Sequence, residues 1–418
     1  MKFWKVIALL FILNITLSFA QPAGKVYNAS VKAYKNKDFK SFLELAQQAD
    51  TLRPFHPNYT YSLAVAYALN NNPDMAIATL RKLIMANNTA TFETDEDLAS
   101  LRKLDDYKAL IALKESQNTV IATSKPVVTL DEKELHPEGL TYLPKSKTWL
   151  AASIRKRKIV SFDIKTGKCK DWFKDDRTLA VFAMKADAKE QFLYIATAAL
   201  PEMENFKREL TGRGEVLKLD LKTKQVVKGY SIEGRHTFGD LIVAKNGVVY
   251  VSDSYRPIIY KIENDVLSEF ISYETGGFNL QGLAFNDKQD KLFIADYLKG
   301  IGVVDLATKK TIWLSFPEGT SAKGIDGLVF CKNTLIGIQN GVKPIRVTQF
   351  QLNTEQSQIT GFKVLDNNRP EFNEPALATL INNTIYFFAN APWEAYDKNG
   401  VLDSTKVSNP ILFSQKLD

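Results

Sequence analysis

The sequence predicts a multidomain protein, an N-terminal α-helical segment followed by an all-β six-bladed propeller. The first observation is a pattern that recurs six times between residues 136 and 416. Each copy has a polar residue, a short apolar strand, a turn, a second β-rich strand ending in small or polar residues, and an outer strand pair. The cleanest copies begin Glu138-Gly139-Leu140, Asp240-Leu241-Ile242, Gln281-Gly282-Leu283 and Asp326-Gly327-Leu328. The second is the period, about 45 residues, which is that of a propeller blade. The third is that residues 22–118 lack strand alternation and carry apolar residues at helical spacing.

Residues 1–20 stand apart. A basic start with Lys2 and Lys5 leads into an apolar run from Val6 to Leu17, and Ser18-Phe19-Ala20 places small residues at a cleavage site. This reads as a signal peptide cut after Ala20, and hence as a periplasmic or secreted protein. No later run is long and apolar enough for a membrane span. Loss of Lys2 and Lys5 takes the 54 basic residues to 52 against 47 acidic ones, a net +5 in place of +7. Charge of that size spread over many strands serves solubility and does not call for nucleic acid. Cys169 and Cys331 fall in the first and fifth blades, which are not neighbours, so no disulfide is expected.

Within 22–118, His56-Pro57-Asn58 opens one helix. Asn70-Asn71-Asn72-Pro73-Asp74 breaks it and starts another, with Pro73 suited to a first helical turn. The pair resembles a tetratricopeptide repeat, flanked by weaker pairs at 26–34 with 39–49 and 95–101 with 105–113. That resemblance implies a groove for a protein or peptide partner; a helical cap packed on the propeller is the plainer alternative. Residues 118–130, with Val127, Val128 and Leu130 around Pro126, read as a strand that completes the last blade and removes open edges. The propeller thus covers 119–418, with blades near 136–175, 178–230, 237–273, 280–318, 324–366 and 374–416.

The residues opening the inner strands are Glu138, Phe182, Asp240, Gln281, Asp326 and Glu374. Propeller symmetry brings such positions to one channel mouth, where clustered carboxylates in a partly desolvated site raise their pKa values, recruit bases or bind a cation. Calcium suits an oxygen-only set; zinc and copper lack a His/Cys cluster. Glu138, Asp240, Gln281 and Asp326 are the candidate ligands, with water or neighbouring basic residues as the simpler outcome. The ends of the second strands supply Tyr255, Arg256, Tyr297, Asn340, Asn390 and Trp393 as candidate substrate-binding residues, or alternatively as ordinary turn residues. Asp253 and Asp296 there are candidates for capping local amides. No serine-hydrolase elbow, phosphate loop or dinucleotide fingerprint is present in convincing context.

Residues 136–418 resemble the senescence-marker-protein/gluconolactonase family of six-bladed propellers, with strictosidine synthase-like and paraoxonase-like relatives. The matching pieces are Pro137-Glu138-Gly139-Leu140, Phe238-Gly239-Asp240, Gln281-Gly282-Leu283-Ala284-Phe285, Asp326-Gly327-Leu328 and Phe388-Ala389-Asn390-Ala391-Pro392-Trp393. The resemblance implies a divalent cation at the channel mouth and hydrolysis of a lactone or ester. It places the metal carboxylates at Glu138 and Asp326; two family asparagines are replaced, at Gly239 and Gln281.

The leading expectation is an exported, metal-dependent hydrolase acting on a small-molecule lactone or ester. Asp326 would be ligand and proton acceptor, and Glu138 the opposing ligand. The rivals are a non-catalytic recognition protein with a degenerate site, and a propeller enzyme that uses no metal and relies on Glu374.

Overall fold

The structure is a computed structural model that describes residues 23–417; the signal-peptide reading of residues 1–20 lies outside them. Among the described residues, five α-helices and one 3₁₀ helix come first. α1 (Ala23–Lys35) pairs with α2 (Phe39–Leu52), and Asp38 caps α2 by accepting from Ser41 N. α3 (Pro57–Leu69) pairs with α4 (Pro73–Ala86), whose cap Asn72 accepts from Met75 N. Both α3 and α4 begin with proline, where the missing N–H costs nothing. The third pair departs from expectation. Its first member, Glu96–Lys103, is a 3₁₀ helix, followed by α5 (Asp105–Ser116). Leu98 and Leu101 still reach the shared core with Phe42, Leu63, Leu80 and Ile84.

The remainder forms six antiparallel sheets around a channel. Their inner strands are Leu140–Leu143, Ala180–Ala186, Phe238–Val243, Leu280–Phe285, Ile325–Cys331 and Ala378–Ile381. The recurring glycine after the first polar residue has a steric cause. A Cβ on Gly282 would lie 2.6 Å from the carbonyl oxygen of Asp326 in the next blade. A side chain there would push the inner strands apart. Three outer hairpins repeat a further device, in which Asp163, Asp220 and Asp305 each accept from the backbone N–H and hydroxyl of a threonine three residues on.

The last blade closes as the sequence predicts. Lys125–Thr129 pairs antiparallel with Ile411–Lys416 and supplies the outer strand of the sheet completed by Thr384–Phe388 and Ala378–Ile381. Ile121–Ala122 adds a fifth strand to the blade before it. Arg369 locks this crossing. Its guanidinium donates to Ser124 O, to buried Asp366 and to Glu371, and lies 4.8 Å over the Phe413 ring. Both cysteines are free.

The helical segment docks on the fifth blade. Lys343 N donates to Ala86 O, Asn88 N donates to Lys343 O, and buried Arg346 donates to Met85 O at 2.8 Å. Arg81 and Glu318 add an ion pair across the joint. No described helix is long and apolar enough to cross a membrane.

Candidate functional site

Five of the six inner-strand openings meet in one cavity of about 370 Å³ at the channel mouth. Glu138, Phe182, Gln281, Asp326 and Glu374 line it, joined by Gly239 from the third blade. Ser254, Asn279, Tyr297, Asn340 and Trp393 form its walls, and Leu200, Pro201 and Glu202 reach over it from the second-blade insertion.

Three carboxyl groups dominate its electrostatics. Glu138 and Asp326 are each 6% exposed, and Glu374 is half-buried. Among the described residues no Lys or Arg forms an ion pair with any of the three. Burial, then the charges of Asp326 and Glu374, hold Glu138 well above the ordinary carboxylate range. Burial pushes Asp326 up to about 7, opposed by a 2.6 Å hydrogen bond from Asn340 Nδ2. Burial and the Asp326 charge push Glu374 up to about 8. Trp393 Nε1 donates to Glu138 at 3.2 Å. Tyr297 donates its hydroxyl to Asn340 Oδ1, so the Asn340 amide is oriented from both ends. Ser254 Oγ donates to Gln281 Oε1, and the Gln281 amide nitrogen donates to Asn279 Oδ1.

Asp240, placed by the sequence in the candidate ligand set, does not line this cavity. It lies farther along the inner strands, in a second cavity of about 330 Å³ with Lys185, Leu283 and Leu328. Its carboxylate accepts from Leu241 N and Leu283 N, and burial pushes it up to about 6 against the pull of Lys185. The cause is register: Phe238-Gly239-Asp240, Leu280-Gln281-Gly282 and Ile325-Asp326-Gly327 are equivalent openings, each with a register shift at the same step, so Asp240 stands where the other two blades carry Gly282 and Gly327. Gly239 takes the mouth position, and its neighbour faces elsewhere.

The second-strand set divides. Tyr297, Asn340 and Trp393 line the mouth. Tyr255, Arg256 and Asn390 do not. Tyr255 is half exposed beneath Arg235, and Arg256 is partly exposed and pairs with Glu274. Asn390 is buried in structural bonds, donating to Ser408 and Asn409 O and accepting from Ile411 N. Asp253 and Asp296 each accept backbone N–H bonds from their own loops. The histidines are structural. His136 stays neutral, its pKa pushed down to about 3 by burial, with Nδ1 on the Tyr396 hydroxyl; buried His236 pairs with Asp253 at 2.7 Å. Sequence reasoning misses Glu202, Ser254 and Asn279, although Ser254 stands in the same second-strand end as Tyr255 and Asn279 two residues before Gln281.

The raised carboxyls tie stability to pH. Their folded-state pKa values exceed the ordinary ones of 3.8 and 4.5, so their contribution is complete below about pH 4 and lost as pH rises through 6 to 8. For Asp240 alone this is on the order of 3 kcal/mol. In chelator, Tm is expected to fall between pH 5 and pH 8. A flat profile would show that the carboxyls are not burdened in this way.

No family model and no curated protein matches this chain. Among solved structures it is similar to virginiamycin B lyase from Staphylococcus aureus, at 13% identity and TM-score 0.46 over 69% of this chain and 98% of that one. It is also similar to a glucose dehydrogenase-type oxidoreductase from Thermus thermophilus, at 14% identity and TM-score 0.45 over 70% and 99%. A chain of the mitotic checkpoint complex matches at 11% identity and TM-score 0.44, over 66% and 78%. These likenesses are of fold alone. The six-bladed assignment rests on the chain's own sheets.

Proposed function

We propose that the channel mouth is the site of a hydrolase acting on a lactone or related ester, with a calcium-type divalent cation held at Glu138 and Asp326. The observation that carries the reading is the convergence of three buried or half-buried carboxyls from three blades, with no basic partner. Ionised together they need a positive charge, and the donors around them, including Gln281 Oε1, are all oxygens, which suits a hard cation. No three His, Cys, Asp or Glu side chains among the described residues are grouped as a ready metal cluster, so amide oxygens must complete the set.

A cation bound there supplies Lewis-acid polarisation of an ester carbonyl. The chain's own groups do the rest. Asn340, fixed by Tyr297 and Asp326, presents an oriented amide at the mouth. Phe182, Leu200 and Trp393 give the substrate an apolar wall and exclude water. Glu374, pushed up to about 8, holds a proton at neutral pH that it can deliver to a leaving alkoxide. The basic start, apolar run and small residues of 1–20 support a location outside the cytoplasm for this enzyme.

One second reading has its own support. The high pKa values of Glu374 and Asp326, carboxyls that share one cavity, also fit acid–base hydrolysis without metal. Turnover of an aryl ester and a sugar lactone, with and without chelator, separates the two. The cation reading expects a loss of at least about a hundredfold, restored by calcium. Unchanged turnover in chelator transfers the chemistry to Glu374.

A further inference from the structure

A cleft of about 290 Å³ lies where the helical segment meets the fifth blade. Phe55 and Leu83 wall it on the helical side, Lys323, Val342 and Lys343 on the propeller side. Asn340 lines this cleft and the channel mouth alike, so the two cavities adjoin across one residue.

Its charge is the reverse of the mouth. Neither Lys323 nor Lys343 forms an ion pair or a side-chain hydrogen bond with any described residue. Each repels the other's charge, and burial with the Lys343 charge lowers the pKa of Lys323. Lys323 is half-buried and Lys343 exposed, so an anion seated beside both would compensate the partly desolvated Lys323 and gain a charge-assisted contact from Lys343. The backbone bonds of Lys343 to Ala86 and Asn88 hold the cleft's two walls together.

We infer that this cleft is an oxyanion subsite, in which Lys323 and Lys343 bind a carboxylate or phosphate on the substrate while its ester lies across Asn340 at the channel mouth. The acidic mouth repels an anion and the basic cleft holds it, so a substrate with its charge away from the reacting carbonyl enters in one orientation. The helical segment thereby becomes a wall of the substrate site. The inference rests on the hydrolase reading for its catalytic part only.

The test uses the full chain and a Lys323→Ala/Lys343→Ala double variant. Hydrolysis of phenyl acetate, 4-carboxyphenyl acetate and 4-acetoxyphenyl phosphate is compared, and inorganic phosphate binding is measured by calorimetry. In the double variant KM for the anionic esters is expected to rise about tenfold, with phenyl acetate changed less than about twofold. The ester that loses more tells carboxylate from phosphate as the preferred group. Equal losses on all three esters, or none, would overturn the inference. Should the wild type hydrolyse no ester, the hydrolase reading falls and phosphate binding decides alone. Binding that weakens about fivefold or more in the double variant supports the subsite, whereas equal affinity, or no binding by the wild type, overturns it.

Discussion

Asp326→Asn is expected to abolish ester turnover while making the protein more stable at pH 8. The change is close to isosteric, and the new carboxamide oxygen can still accept from Asn340 Nδ2, so the mouth keeps its shape. What disappears is a buried negative charge facing Glu138 and Glu374. Its folded-state pKa of about 7 lies above the ordinary 3.8, so its cost to the fold grows from about pH 4 and is complete above pH 7. Relief of that burden raises Tm at pH 8 by roughly 2–4 °C or more, with a smaller rise at pH 5. Loss of a cation ligand costs at least about a hundredfold in kcat/KM. Measured in chelator across both pH values, a Tm that drops at pH 8 would show that Asp326 is a structural anchor and not a functional group held at a cost.

Arg369→Ala is expected to be the most damaging single change outside the site. Arg369 is 8% exposed and binds Asp366, Glu371, Ser124 and the Phe413 face together. Asp366 is fully buried and also accepts from Thr123 N and Ser124 N. Removing the guanidinium strands that carboxylate beside the crossing of the first and last propeller strands. A loss of about 3–5 kcal/mol follows, read as a shift in the urea midpoint. Adding Asp366→Asn should recover part of it, because no charge is then left alone. Loss below about 1 kcal/mol would mean that water compensates Asp366.

The blades were legible because the glycine in three of the four cleanest inner-strand copies, Gly139, Gly282 and Gly327, answers a steric demand that recurs with the blade. The ring at the mouth was legible for the same reason, in five positions out of six. The exception, Asp240, turns on one residue of register. Both Gly239 and Asp240 lie in the quoted motif, and it is Gly239 that falls in line with Gln281 and Asp326, leaving Asp240 in line with Gly282 and Gly327. Tyr255 and Arg256 sit at a turn apex, where the backbone carries side chains outward, whereas Ser254 just before them still faces the cavity. The 3₁₀ geometry of Glu96–Lys103 has no signal in a pattern that reports only which positions are apolar. The cleft beneath the helical segment was out of reach altogether, since it arises where residues 55–87 dock against residues 323–343, far apart in the chain.

The pairing of Lys125–Thr129 with Ile411–Lys416 sets an order of events during synthesis. The ribosome makes the earlier strand nearly three hundred residues before its partner. Five blades can assemble meanwhile, yet the sixth stays incomplete, with its neighbours' flanks open to strangers. Contacts so distant along the chain form late and slowly. Nascent protein lacking its final strand is therefore the form most in need of a chaperone's shelter.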